Sequence, residues 1–307
     1  MTVTANALSE RLKRRPILFA AGVYDSLTAL IAERSGFDTL YVSGAGIAYT
    51  RLGRPDIGLV GMSEVVQTVA LIRDRVGAHL IVDADTGYGN ALNVQRTVRL
   101  LERAGANAIQ IEDQVFPKRC GHLDGKTLIS AAEMVGKIEA ATDARSSQDT
   151  LIVARTDAIA VEGFDRAVER AQLFHEAGAD VLFIEAPRHR DELARIGARF
   201  SKSVPLLANM VEGGKTPVLP ADELEALGFA IVIFAAGVVR AQAKTAEEFY
   251  ASLRKHGSAQ PFHARMFDFD GLNGLLGTPE MLERGLRYQG DDQPINAKEP
   301  GRASGRK

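Results

Sequence analysis

Short apolar runs recur along the 307-residue chain, and each one ends at a polar residue or a glycine. Most of these runs are continuously apolar, which is typical of strands that are covered on both faces. The runs predict eight strands, at 17–21, 39–43, 80–83, 108–112, 151–155, 181–185, 206–209 and 231–234.

Stretches with a helical pattern lie between these runs and after the last one. They predict helices at 26–35, 63–76, 91–104, 131–144, 164–177, 190–200, 221–227 and 238–256. Eight alternations of strand and helix are typical of a parallel sheet, and eight units are enough to close it. The pattern therefore predicts an α/β fold, a (β/α)8 TIM-type barrel. An open, doubly wound sheet stays possible, because the pattern alone does not show closure.

A weak internal repeat favours the closed barrel. A helical stretch stops and an apolar run begins at Gly36, Gly105, Gly178 and Gly228. Glycine is the natural left-handed cap of a helix. These four glycines precede the second, fourth, sixth and eighth strands, as expected for a repeat of even-numbered strands in a barrel.

The predicted catalytic barrel spans residues 1–256. Extra C-terminal helices are predicted at 261–276 and 279–288, within an extension at 257–289. The last segment, 290–307, is polar and rich in glycine, proline and charge, which predicts a disordered tail.

Composition excludes several classes of protein. Hydrophobic residues make up 46% and charged residues 25%, the ordinary globular mixture. A formal charge of −2 gives no general electrostatic reason to bind nucleic acid or an anionic membrane. The single cysteine excludes an internal disulfide and fits a reducing compartment. With no apolar run of spanning or signal-peptide length, we predict a soluble, cytoplasmic protein without nucleic-acid or membrane partners.

Acidic residues gather at the predicted strand ends, where TIM-type barrels carry their chemistry. Asp83 and Asp85 are two residues apart, so both side chains point the same way. Glu112 ends the next strand, and Asp56 lies in the loop after the second. Two carboxylates on one face repel unless a cation or proton lies between them, and Mg²⁺ favours such oxygen ligands. The alternative is that these acids are helix caps and solvated loop residues.

A second polar cluster surrounds Cys120 in a loop at 117–126. Lys118 and Arg119 precede the cysteine, and His122 follows Gly121. Such neighbours predict a lowered thiol pKa and an accessible sulfur. The two glycines of the loop predict a mobile lid over the barrel mouth. The alternative is that the cysteine is a buried small hydrophobe.

The remaining strand ends predict carboxylate binding. Arg155 ends the fifth strand, and its planar fork suits a bidentate clamp. An ion pair with Asp157 or Glu185 is the alternative. Asn209 ends the seventh strand and opens a second polar loop at 210–217. The segment 41–46 closes the second strand as an anion-binding turn.

Motifs at 41–44, 55–56, 83–89, 111–114, 118–122, 154–157 and 209–217 resemble the isocitrate lyase and phosphoenolpyruvate mutase superfamily, in that order along the chain. The Lys-Arg-Cys-Gly-His sequence at 118–122 is similar to the hallmark of its lyase branch. The chain looks most like the 2-methylisocitrate lyases and the dimethylmalate- and oxaloacetate-cleaving enzymes.

The resemblance implies a barrel assembled as a homotetramer through its C-terminal helices. It also implies Mg²⁺, with Mn²⁺ as a possible substitute, near Asp83 and Asp85, while Asp56 and Glu112 help through water. The substrate-binding residues that it implies are Ser43, Gly44, Ala45, Gly121, Arg155, Glu185, Asn209 and Arg240.

The implied reaction cleaves the C2–C3 bond of a 2-hydroxy di- or tricarboxylate to pyruvate or another 2-oxo acid plus a carboxylic acid. Mg²⁺ acidifies the hydroxyl and stabilises the forming carbonyl. Tyr41 is implied to relay or accept the hydroxyl proton. Cys120 is the natural acid for the carbon, and Lys118, Arg119 and His122 offset the negative charge.

Alternatives stay open within and outside this class. Decarboxylation of oxaloacetate needs only the metal and an enolate-stabilising site, and hydrolysis of oxaloacetate is a related alternative. A phosphonomutase of the carboxyvinyl-carboxyphosphonate type is less favoured, because phosphoryl transfer needs no carbon acid such as Cys120. A third substrate carboxylate would need extra cations, for which Arg240 and Arg265 are candidates. A catalytically silent barrel is the hypothesis from a different class.

Overall fold

The computed structural model describes residues 7–288. Eight strands form a closed barrel in sequence order, and every neighbouring pair is parallel, including the first strand with the last. The strands are β1 (Leu18–Val23), β2 (Thr39–Val42), β3 (His79–Asp83), β4 (Ala108–Glu112), β5 (Leu151–Thr156), β6 (Val181–Ile184), β7 (Leu206–Asn209) and β8 (Ile231–Phe234). Closure confirms the predicted (β/α)8 barrel and excludes the open sheet.

Helices follow the strands as the pattern predicts, with small differences at their ends. They are α1 (Leu8–Leu12), α2 (Ser26–Arg34), α3 (Gly44–Ile47), α4 (Met62–Arg75), α5 (Ala91–Ala104), α6 (Ala131–Ala144), α7 (Phe164–Glu176), α8 (Arg190–Phe200), α9 (Ala221–Ala226), α10 (Gly237–His256), α11 (Phe269–Leu276) and α12 (Thr278–Leu286). The sequence pattern missed α1 and α3. Helix α3 continues into a π-helix at Ala48–Leu52, and short 3₁₀ helices span Ala158–Ala160 and Gln260–Arg265.

The described chain forms two compact units, one that ends at Gln242 and one that begins at Ala243. The extra helices predicted beyond 257 are present as a 3₁₀ helix, α11 and α12. The domain limits of 1–256 and 257–289 stay a prediction, and the predicted tail at 290–307 lies outside the described residues. None of the described helices is both long enough and apolar enough to cross a membrane.

Side chains from alternate positions along the strands fill the interior of the barrel. Tyr41, Ile81, Val153, Phe183 and Leu207 belong to this inner cluster and are all nearly inaccessible to solvent. Side chains alternate between the two faces of a strand, so the residue two positions later points the same way. The interior-facing series therefore continues upward into the polar residues Ser43, Asp83, Arg155, Glu185 and Asn209. This periodicity explains why the predicted chemistry converges at one mouth of the barrel.

Two glycines inside helices give a matched test of the packing. At Gly197 in α8, a Cβ would overlap the carbonyl oxygen of Leu227 and lie 2.9 Å from its carbon. At Gly136 in α6, no atom lies within 4 Å of the same position. We expect Gly197→Ala to lower the free energy of unfolding by roughly 1–3 kcal/mol. Gly136→Ala should raise it by roughly 0.5–1 kcal/mol. Urea denaturation measures both, and a Gly197→Ala variant as stable as the wild type would contradict the described packing.

Candidate active site

The polar residues predicted at the strand ends gather at the carboxyl-terminal mouth of the barrel. Register places Asp83 beside Gln110, and Glu112 beside Arg155, on neighbouring strands. Glu185 follows β6 directly, and its side chain is fully buried with that of Glu112. Charged groups in such surroundings need partners of opposite sign, which the neighbouring loops supply.

Asp83 and Asp85 face the same space, which Gly44 keeps open. A Cβ at Gly44 would lie 3.1 Å from Asp83 Oδ2 and 3.3 Å from Asp85 Oδ1. Burial raises the pKa of Asp85 to about 7; the Lys118 ammonium opposes this shift, and the Asp83 charge adds to it. Asp85 also adopts a left-handed backbone with φ of 47°. Asp83 and Asp85, together with Asp56 and Glu112, form what we call the acidic centre. It is held together against both electrostatic repulsion and backbone strain.

Lys118 supplies positive charge to this acidic centre. Its Nζ lies 2.5 Å from Asp56 Oδ1 and 2.7 Å from Asp85 Oδ1, and the side chain is buried. Burial alone would lower the lysine pKa, but the Asp85 and Asp56 charges outweigh it and raise the pKa well above its usual range. The structure therefore brings Lys118 to the acids rather than to the thiol two residues further on.

The acidic centre has the ligand chemistry for a hard divalent cation, although it is not a preformed cage. Within residues 7–288, no three histidine, cysteine or carboxylate side chains converge as a metal-ligand set. Glu112 Oε1 is nevertheless buried without a hydrogen-bond partner in the described chain. Together with the open cradle at Gly44, this fits an ion such as Mg²⁺, which takes few carboxylates and keeps several waters.

Tyr41 joins the acidic centre through Gln110, a residue that the sequence analysis missed. The Tyr41 hydroxyl donates to Gln110 Oε1 over 2.9 Å, and Gln110 Nε2 donates to Asp83 Oδ1 over 3.1 Å. Burial and the Asp83 charge raise the pKa of Tyr41 well above its ordinary value. The phenol therefore keeps its proton and directs it toward Gln110.

Arg155 makes the ion pairs that were the alternative to a free clamp. Its Nε and Nη2 donate to the two oxygens of Asp157 over 3.0 and 3.2 Å. Glu112 Oε2 lies 3.3 Å from Nε, and Glu185 Oε2 lies 3.3 Å from Nη2. Among the described residues Nη1 forms no hydrogen bond or ion pair, so one edge of the guanidinium is open to an anionic group.

His122 and Asn209 bind Glu185 from two different loops. His122 Nε2 lies 3.2 Å from Glu185 Oε1, and Asn209 Nδ2 donates to Oε2 over 3.2 Å. The amide of Lys215 donates to His122 Nδ1 over 3.0 Å, which places the proton of a neutral ring on Nε2, facing Glu185. Burial would raise the pKa of Glu185, but Arg155 and His122 outweigh it and lower the pKa.

The surroundings of Cys120 correct the predicted thiol chemistry. The sulfur is partly buried, and burial raises its pKa instead of lowering it. The two neighbouring cations do not act on it as expected, because Lys118 pairs with carboxylates and the Arg119 guanidinium donates to the Asp124 carbonyl over 2.9 Å. The structure therefore does not bring the Arg119 side chain into the acidic centre. A thiol with a raised pKa stays protonated, as a general acid requires.

The backbone beside Cys120 is held by Gln114, another residue that sequence reasoning missed. Gln114 Nε2 donates to the Arg119 carbonyl over 2.7 Å, and the Arg119 amide donates to Gln114 Oε1 over 2.9 Å. Gln114 follows the acidic pair Glu112 and Asp113, and its place in that motif was the available signal.

The other predicted substrate residues lie at the rim of the mouth or frame it. Ser43 Oγ accepts from the Gly46 amide over 3.1 Å and caps α3, while Gly44 and Ala45 occupy the first helical positions, whose amides have no helical acceptor. Arg240 is exposed and donates to the Glu212 carbonyl. Arg265, the second candidate cation, pairs with Glu248 at 2.5 Å.

Comparison with known proteins decides the family of this barrel. The model for phosphoenolpyruvate phosphomutase matches residues 8–254. The chain belongs to the phosphoenolpyruvate phosphomutase family. Its resemblance to the superfamily of that enzyme and isocitrate lyase is therefore confirmed.

Curated members of the family match over nearly the whole chain. The 2-methylisocitrate lyase of Aeropyrum pernix is 48% identical over 277 residues, which cover 90% of this chain and 88% of the relative. The 2,3-dimethylmalate lyase of Eubacterium barkeri is 43% identical over 282 residues, which cover 91% and 96%.

Solved structures of family members share the architecture. Oxaloacetate acetylhydrolase with 3,3-difluorooxalacetate superposes with a TM-score of 0.87 at 32% identity, covering 94% of this chain and 98% of the other. Phosphonopyruvate hydrolase with oxalate and Mg²⁺ gives 0.82 at 32% identity, covering 92% and 98%. The family thus includes both lyases and hydrolases.

Proposed function

We propose that this protein is a Mg²⁺-dependent carbon–carbon lyase. It cleaves a 2-hydroxy di- or tricarboxylate, of the 2-methylisocitrate or 2,3-dimethylmalate type, to pyruvate or another 2-oxo acid plus a carboxylic acid. The observation that carries the proposal is the loop of Cys120, in which Gly121 packs against Arg155 and Glu185 while Lys118 enters the buried acidic centre. Burial also raises the pKa of the Cys120 thiol. The two lyases reported above, each similar over at least 90% of this chain, support the reaction class.

The acidic centre is the proposed metal site. Asp83 and Asp85 would hold Mg²⁺, or Mn²⁺ in its place, and Asp56 and Glu112 would act through water. When bound, the ion acidifies the substrate hydroxyl and stabilises charge on the forming carbonyl. The Mg²⁺ and oxalate in phosphonopyruvate hydrolase support an ion of this kind in the family.

Several groups around the centre would hold the substrate. Arg155 would bind a carboxylate through Nη1, and the amides of Gly44 and Ala45 would bind another oxygen beside Ser43. Asn209, Glu185 and the Gly121 backbone would contact the remaining substrate oxygens. Arg240, at the rim, is the candidate for a third carboxylate.

Tyr41 and Cys120 take different roles with protons. The hydroxyl proton of Tyr41 is engaged by Gln110, so the phenol oxygen presents lone pairs to the substrate hydroxyl and orients it. Cleavage requires loss of the substrate hydroxyl proton, which would pass through water to Glu112, whose Oε1 has no hydrogen-bond partner in the described chain. Cleavage leaves an enolate-like carboxylate whose carbon would take a proton from Cys120, and water would reprotonate the thiolate. Lys118 would offset the negative charge of the acidic centre, His122 would orient Glu185, and Arg119 would act by holding the loop.

Replacement of the thiol is the direct test of this function. We expect Cys120→Ser to lower kcat by about 10²–10⁴-fold, the usual contribution of a positioned acid. Binding of Mg²⁺ and of oxalate, measured by calorimetry, should stay at the wild-type level. The assay offers 2-methylisocitrate, 2,3-dimethylmalate and citramalate with Mg²⁺ and follows 2-oxo acid release. Near-wild-type turnover by Cys120→Ser would remove the thiol from the acid role.

Hydrolysis or decarboxylation of oxaloacetate is the second candidate function. Its support is the similarity to oxaloacetate acetylhydrolase. The same assay separates the reactions when oxaloacetate is included, because decarboxylation releases CO₂, hydrolysis releases oxalate, and lyase cleavage of the other substrates releases neither.

The C-terminal unit supports a homotetramer. From Ala243 onward, large apolar side chains are exposed in the described chain, and they include Tyr250, Phe267, Phe269, Met281, Leu282, Leu286 and Tyr288. Exposed apolar surface of this extent marks an interaction site. We propose that other copies of this chain cover it.

Charge placed on this surface should break the assembly. We expect the wild type to sediment as a tetramer and the double variant Phe269→Glu, Leu282→Glu to sediment as smaller species, because burying a carboxylate there is unfavourable. Circular dichroism checks that the barrel stays folded. A wild type that is monomeric at micromolar concentration would contradict the proposal.

The cytoplasm is the proposed location of the enzyme. Cys120 is the single cysteine of the chain, and its proposed role requires a reduced thiol. Oxidation to a sulfenic acid would remove the proton that it donates. A reducing compartment protects that function.

A further inference from the structure

The loop that carries Cys120 is fastened at its base. An antiparallel bridge joins Gln114 to Leu128, and the Val115 amide donates to the Thr127 carbonyl over 2.8 Å. The segment 115–127 is therefore a closed loop whose two ends start from one point. Bonds at the base fix where the loop begins, but they do not by themselves fix how its tip lies on the mouth of the barrel.

Lys126 ties the tip of this loop to the barrel. Its side chain is 1% exposed, and its Nζ lies 3.0 Å from Asp157 Oδ1. The same ammonium donates to the carbonyl of Gly121, five residues earlier in the loop. One buried cation thus bridges the residue after Cys120 and a carboxylate at the end of β5.

Gly121 packs so closely against Arg155 and Glu185 that any side chain at this position would collide with them. A Cβ there would overlap Arg155 Nη2 and lie 2.6 Å from Glu185 Cγ. The loop backbone therefore rests directly on the Arg155 and Glu185 side chains. The bond from Lys126 to the Gly121 carbonyl holds it in that position.

Asp157 is a rigid anchor that does not depend on Lys126. Arg155 binds both of its carboxylate oxygens, and the Asp157 amide donates to Asp113 Oδ1 over 2.9 Å. Removal of Lys126 therefore leaves Asp157 paired with Arg155, although the buried carboxylates around Arg155 lose one cation. The loop in turn loses its bond from Lys126 to the Gly121 carbonyl.

We propose that Lys126 is a positioning residue that holds Gly121 against Arg155 and Glu185 and thereby keeps the Cys120 thiol seated at the barrel mouth. The seating of the loop stands on the geometry alone. Its consequence for proton delivery to carbon rests on the proposed lyase function.

The test measures the reaction of the single cysteine with iodoacetamide in the full-length protein at fixed pH. We expect Lys126→Met to raise the alkylation rate about tenfold or more, the order expected when a buried hydrogen bond to a charged group is lost. The matched control is Lys215→Met, because Lys215 also pairs with this loop, at Asp124 over 2.6 Å, but at an exposed site. The control should change the rate by less than about twofold.

Thermal melting and a second variant keep the proposal testable. Thermal melting shows that the variants are folded at the assay temperature; if Lys126→Met is not, Lys126→Gln replaces it, with the same expected rise in rate. A folded variant that is alkylated at the wild-type rate would overturn the seating of the loop by Lys126.

Kinetics separate this inference from the proposed function. With the substrate that the wild type cleaves, we expect Lys126→Met to lower kcat at least about tenfold, as for loss of a positioned acid, while KM changes less. Faster alkylation with unchanged kcat would overturn the catalytic part alone. If no 2-hydroxy carboxylate is cleaved by the wild type, the lyase proposal fails while the alkylation result still decides the role of Lys126.

Discussion

Buried carboxylates at the mouth of the barrel need positive charge close by, and the rest of the site is arranged around that need. Asp83, Asp85 and Glu112 lie at the ends of neighbouring strands, largely out of contact with water. Burial raises the pKa of Asp85 to about 7 and that of Glu112 well above its usual range, even with cations adjacent. Buried carboxylates in such an arrangement favour a bound divalent ion. Lys118 and Arg155 also stabilise their negative charge.

The same electrostatics place the loop that carries the thiol. Lys118 enters the acidic centre at one end of the loop, and Lys126 reaches Asp157 at the other. Cys120 lies between these two anchors, next to a glycine that rests on the substrate clamp. The position of the proposed acid is therefore coupled to the charges that are proposed to bind metal and substrate. A protonated thiol is consistent with this, since Lys118 is paired with carboxylates and the Arg119 guanidinium donates to the Asp124 carbonyl, so that neither stabilises a thiolate.

The barrel and the location of the site could be predicted because both follow from periodicity. Eight apolar runs mark the strands, and alternation along each strand extends the interior face to Asp83, Arg155 and Glu185. Interactions between side chains could not be predicted in this way. Nearness in sequence suggested that Lys118 and Arg119 would activate the thiol, yet their side chains point elsewhere. Gln110 was missed because nothing in the strand pattern shows that its amide bridges Tyr41 and Asp83.

A crystal of the protein grown with Mn²⁺ and oxalate tests most directly whether the acidic centre binds a divalent ion. Anomalous scattering from manganese locates the ion independently of any assumption about its ligands. We expect one strong peak beside Asp83 and Asp85, with oxygen atoms roughly 2 Å away, as for Mg²⁺, and with oxalate bound to the ion. A peak elsewhere, or no peak while the Lys118 ammonium stays between Asp56 and Asp85, would contradict a metal ion at this site.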